Sequence, residues 1–172
     1  MRFYSKGIRI FALVVTLALF LIASQQLYLQ WASNQLTFGL TLVMNLRSNI
    51  QPRDATASSV DREYQELRKL ATDGQATFAP PGVTLQQNQY QMVVDAGVAA
   101  AEQAVQALGQ HDPVAMDQAD THLQDVGEQM AKVRLLLVQD LNQNNGLIAF
   151  GLCGLLLLTI ITIIRAVPSR LA

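Results

Sequence analysis

Two histidines, His111 and His122, lie close in sequence to Asp112, Asp117, Asp120 and Asp125. Imidazole and carboxylate are ligand types that divalent metals take, and His122 and Asp125, three residues apart, share one helix face. A zinc site needs three or four ligands, and the single cysteine, Cys153, falls in a distant apolar run. The acids suit instead the solvated start of a helix, where carboxylates favour the positive end of the dipole. No metal and no cofactor is expected. Catalysis has no better footing, because the chain has no G-x-S-x-G, no glycine-rich phosphate loop and no histidine-anchored triad spacing. Its carboxylates occupy exposed-looking helical positions, and the expectation is a protein that is not an enzyme.

A second chemistry is offered by arginine. Arg47, Arg53, Arg62, Arg68 and Lys69 crowd one stretch, whereas no base separates Lys69 from Lys132 and eight acids do. The guanidinium fork matches carboxylates, so Arg47, Arg53 and Arg62 are candidate residues for an anionic ligand. The competing reading is that these arginines face acids of neighbouring helices or water. Arg62 with Glu66 and Glu128 with Lys132 already have the (i, i+4) spacing of helix ion pairs.

Residues of either kind must be carried by something, and half of the 172-residue chain is hydrophobic (51%). Residues 10–24, "IFALVVTLALFLIAS", form a run without charge, and residues 147–164, "LIAFGLCGLLLLTIITII", form another. At 1.5 Å per residue the second spans about 27 Å, close to a bilayer's hydrocarbon core. The first invites a rival reading as a cleaved signal peptide. It runs on, however, into "LYLQW", where Tyr28 and Trp31 suit one membrane interface as Tyr4 suits the other, and this favours a retained anchor. Both ends are basic: Arg2, Lys6 and Arg9 precede the first run, and Arg165 and Arg170 follow the second. The expected organisation is a cytoplasmic tail (1–9), a transmembrane helix (10–24), an extracytoplasmic segment (25–145), a second transmembrane helix (146–164) and a cytoplasmic tail (165–172). The expected location is a bacterial inner membrane, with both termini cytoplasmic. Without a disulfide, the exported segment depends on packing.

Breakers at 48–59, 74–83 and 109–113 divide that segment into four helices, so the expected fold is all-α, an up-down-up-down antiparallel four-helix bundle between two transmembrane helices. Helix starts are predicted at Ser58 with Asp61, at Thr84 with Gln87, and at Asp112 before Pro113. Apolar residues step by three and four, as in Met116, Ala119, Leu123, Val126, Met130, Val133 and Leu137. The predicted stripe of the first helix is Leu27, Trp31, Phe38, Leu42, Leu46 and Ile50. Ala149, Gly151, Cys153 and Gly154 form a small-residue patch that lets helices approach closely, within one chain or between two.

With this topology the chain resembles the sensory half of bacterial chemoreceptors and membrane histidine kinases, which place a four-helix bundle between two spans and usually work as homodimers. Its last residues, "IIRAVPSRLA" with Arg165 and Pro168, look like the opening of a HAMP relay helix, although Ser169 stands where an apolar residue is usual. The resemblance implies a sensor or sensor-derived regulator that binds a small molecule or partner outside and relays to a protein inside. No transmitter follows in these 172 residues, so an accessory subunit of a larger membrane complex is the alternative. A two-span channel is disfavoured by apolar spans without an ionisable residue. Expected partners are the membrane and a second copy or a larger complex, without nucleic acid; the residues do not specify the ligand.

Overall fold

The computed structural model describes residues 2–51 and 55–166, with backbone alone for residues 2–9, 12, 158 and 160–166. Four helices, and among the described residues no strand, make up the chain: α1 (Arg2–Ile50), α2 (Ala57–Ala76), α3 (Thr84–Gln110) and α4 (Pro113–Ala166). Consecutive helices pack side by side, and α1 closes the ring on α4 through the most extensive interface. Side-chain contacts fix the directions. Arg47 meets Asp120 while Gln26 meets Asn145, and Gln103 meets His122 while Gln86 meets Asp140, so α1 and α3 each run antiparallel to α4.

The seams follow helical spacing. The α4 stripe from Ala119 to Leu137 is buried as expected, and in α3 Tyr90, Val94, Ala101, Ala104 and Leu108 are all buried. In α1 the far part of the expected stripe, Leu42, Leu46 and Ile50, is buried and Trp31 is half-buried, but nearer the stem the phase differs. There Leu29, Ala32 and Leu36 are buried, while Leu27 is 70% exposed and Phe38 45%. The seam steps through small residues: a Cβ on Gly39 would lie 3.6 Å from the Met130 sulfur.

Two of the three expected helix starts differ. Helix α2 begins at Ala57 after Thr56, and α3 begins at Thr84 after Val83, neither with a side-chain cap. Ser58 and Thr84 therefore lie inside the first turn, where a capping box cannot form. The third is as expected. Asp112 Oδ1 accepts from the backbone N–H of Val114 (2.9 Å) and Ala115 (3.3 Å), and Pro113 leads the helix. Just before it His111 closes α3 in the left-handed region at φ 51°.

Helix lengths decide the shape. At 1.5 Å per residue, α2 and α3 are about 30 and 40 Å long, whereas α1 and α4 are about 74 and 81 Å. The excess of both lies at the same end, where residues 2–24 of α1 and 147–166 of α4 form a two-helix stem below the bundle. The stem helices touch closely: a Cβ on Gly151 would meet Leu19 Cδ2 at 2.6 Å. Their other faces are bare, with Leu13, Leu17, Phe20, Phe150 and Leu156 all more than half exposed. Leu13–Ile50 is, among the described residues, the segment long and apolar enough to cross a membrane. Only 11% of its most apolar window is buried, which separates it from the core helix of a globular domain. In the 147–164 run, residues 158 and 160–164 lie outside those whose side chains are described.

Candidate functional site

The end of the bundle farthest from the stem is where the two helix turns meet. A cavity of about 650 Å³ opens there, lined by Ile50, Gln51 and Ala55 from the first turn and by His111, Pro113, Met116, Asp117 and Asp120 from the second. Its size falls in the range of small-molecule sites. The floor is apolar, from Ile50, Ala55 and Met116, and the rim carries carboxylates and an imidazole.

Arg47 does not offer a free guanidinium to this site. Its Nε donates to Asp120 Oδ1 at 2.9 Å and its Nη2 to Asp120 Oδ2 at 3.1 Å and to Gln124 Oε1 at 3.2 Å. The Asp120 hydrogen bond and charge push Arg47 above its usual range against the effect of burial, so it is permanently charged. This fork ties α1 to α4 at the edge of the cavity. Arg62 is 81% exposed and its Nη2 lies 3.3 Å from Glu63 Oε1. Arg53 lies outside the described residues. Glu63 is a charged residue in the seam of α2, only 4% exposed, between Val60 and Leu67.

The histidine–aspartate group does not assemble as a ligand set. His111 ends one helix, Asp112 starts the next, and His122 Nδ1 pairs with Gln103 Oε1 at 2.7 Å. Among the described residues no three His, Cys, Asp or Glu side chains are grouped to hold a metal ion.

Of the aromatic residues expected at the membrane interface, Tyr28 and Trp31 pack against the bundle at the level where the stem begins, and both line a cleft with Phe20 and Phe78. Tyr28 is buried at 4% exposure and Trp31 is half-buried, with ring centroids 5.7 Å apart; Trp31 lies 5.3 Å from Tyr90. Tyr90 is wholly buried and its hydroxyl donates to the Leu70 carbonyl at 3.4 Å. Burial, reinforced by Tyr28 and Asp73, drives the Tyr90 phenol far above its usual range, and burial raises Tyr28 as well. Among the described residues the Tyr28 hydroxyl has no hydrogen-bond partner. Tyr4 lies where only the backbone is described, within α1.

Of the small-residue patch, Gly151 packs against Leu19 within the chain, while Ala149, Cys153 and Gly154 are exposed. Arg165 falls at the end of α4, described by backbone alone, and Pro168 lies outside the described residues. The cavity's apolar floor carried no sequence signal of its own, since Ile50 and Met116 read as ordinary seam residues. No family model, no curated protein and no solved structure matches the chain.

Proposed function

We propose that the chain is a two-pass membrane sensor, or a regulator derived from one, whose bundle stands outside the membrane on the α1–α4 stem. The observation that carries the reading is the continuity of α4. One unbroken helix of 54 residues leads from the cavity at the far end, through the bundle, to the end of the stem. Met116, Asp117 and Asp120, on its first turns, line that cavity, so a molecule bound there bears directly on the helix that leaves the bundle. Coupling by a small shift or tilt needs such a rigid element with two arrangements against its neighbour. The close approach of α4 to α1 at Gly151, against Leu19, supports coupling of this kind, because a shift of one helix there bears directly on the other.

In this reading residues 10–24 and 146–164 are the two crossings, both termini face the cytoplasm, and the membrane is a bacterial inner membrane. The bare apolar faces of the stem support it, since soluble chains rarely expose contiguous apolar surface of this extent. The ligand is a small amphiphile, with an apolar body for Ile50 and Met116 and a cationic or hydrogen-bond-donating head for Asp117 and His111. Arg47 positions Asp120 at the rim. The relay partner is a protein inside the cell, met at the end of α4, and the working form is a homodimer. A second reading, an accessory subunit, draws on a shallow groove on the outer face of α4 around Leu135, Val138 and Gln139, beside the exposed Leu136.

The test uses the full chain in phospholipid vesicles, with spin labels at Leu17→Cys and Leu152→Cys in a Cys153→Ala background. Small amines and zwitterions that raise the unfolding temperature should change the label separation, and Ala55→Trp, which fills the cavity, should abolish both effects. Stabilisation that survives Ala55→Trp, or that leaves the stem distance unchanged, contradicts the reading.

A further inference from the structure

The connection between α2 and α3 returns to the bundle at the level where the stem begins. Gln25, the first residue after the apolar run of α1, donates through Nε2 to the Pro81 carbonyl at 2.6 Å. That bond sets the height of the loop 77–83. The loop is stiffened by Pro80 and Pro81 and turned by Gly82 at φ +93°. Phe78, near its tip, is 82% exposed.

An exposed phenylalanine is ordinary by itself, but this one has company. A cleft of about 530 Å³ joins Phe78, Pro80 and Pro81 to Phe20, Leu21 and Leu27 of α1. Phe20 is 74% exposed and Leu27 70%. The cleft therefore extends from the loop to Phe20, more than one helical turn below Gln25 along the apolar segment. Charge is missing from the same region: none occurs between Asp73 and Asp95, nor between Arg9 and Arg47. An apolar surface continuous with a helix that crosses a bilayer, free of charge and carrying aromatic rings, matches the boundary between headgroups and acyl chains.

We propose that the α2–α3 loop is a third membrane contact, with Phe78 and Pro81 seated at the headgroup–acyl boundary of the outer leaflet beside α1. The proposal rests on the membrane reading of the stem. It makes the bundle sit directly on the lipid surface. Tilting of α1 and α4 is then opposed by the loop, and the bundle is sensitive to the thickness and packing of the leaflet.

The experiment adds one tryptophan at a time to the full chain: Phe78→Trp at the loop, Leu17→Trp in the stem and Val114→Trp at the far end of the bundle. All three positions are exposed, so the bundle tolerates the larger ring. Each variant is reconstituted in phosphatidylcholine vesicles with and without brominated acyl chains, the Trp31 signal of the wild type is subtracted, and acrylamide reports access from water. The expected result is a blue-shifted Phe78→Trp emission that falls in brominated vesicles, as for Leu17→Trp, while Val114→Trp responds to acrylamide alone. If Leu17→Trp is quenched by bromine and Phe78→Trp only by acrylamide, the loop stands in water and the proposal is overturned while the anchor survives. If Phe78→Trp is quenched by neither, a protein covers the loop, and the lipid contact is again overturned. A Leu17→Trp emission untouched by bromine removes the anchor reading and the proposal with it.

Discussion

Single residues carry more of the packing than their size suggests. Gly74 lies under the Tyr90 ring, and an added Cβ would come within 2.5 Å of Tyr90 Cε1 and 2.8 Å of Gln91 Oε1. Helix propensity favours alanine over glycine by about 1 kcal/mol. The ring is held by Trp31 and the core, so overpacking by about 1–3 kcal/mol wins. Gly74→Ala is expected to lower the urea midpoint. The buried tyrosines predict a second effect. A phenol whose folded pKa lies above its unfolded value near 10 binds a proton in the native state that the unfolded chain has lost. Its stabilisation is complete below pH 10 and declines above it by at most about 1.4 kcal/mol per pH unit. Unfolding titrations should show this alkaline loss in the wild type and a shallower one in Tyr90→Phe. Tyr28→Phe, which removes a hydroxyl without a partner, should leave neutral-pH stability unchanged or raise it by up to about 1 kcal/mol. The tilted contact of Tyr90 with Trp31 was not legible in the sequence, because a ring near an apolar run reads equally as an interfacial anchor.

At the scale of elements, breakers and periodicity revealed all four helices and the seam of α4. The Asp112 cap was legible because its side chain acts within its own turn. In α1 the far part, Leu42, Leu46 and Ile50, was read correctly, but nearer the stem the buried residues are Leu29, Ala32 and Leu36, and Leu27 and Phe38 look outward. Several apolar faces are available in that stretch, and residue size pointed to the wrong one. Leu29→Ala should cost about 2–5 kcal/mol as a buried leucine truncation. Leu27→Ala should change stability by less than about 0.5 kcal/mol. Chemical denaturation of the two variants in the same detergent compares them directly, and equal losses would show that the phase is wrong. The arginine cluster shows the same limit. Its members were visible in sequence, but the Arg47 fork on Asp120 joins positions 73 apart, and no local pattern encodes that pairing.

For the whole molecule, the difference in helix length is the governing fact. Two helices fit the bundle, and two exceed it by roughly the thickness of a bilayer's apolar core. The stem holds itself together through Leu19 and Gly151 and leaves Ala149, Cys153 and Gly154 exposed. Of the small residues there, Gly151 is thus used within the chain and the others are left uncovered. The most direct test is native mass spectrometry of the protein extracted gently from its own membrane at its natural level. The account predicts a homodimer of about 38 kDa, twice the 18.9 kDa chain, with no companion in fixed ratio. A stoichiometric complex with a larger membrane protein would contradict the stand-alone sensor and make this bundle a subunit of that assembly.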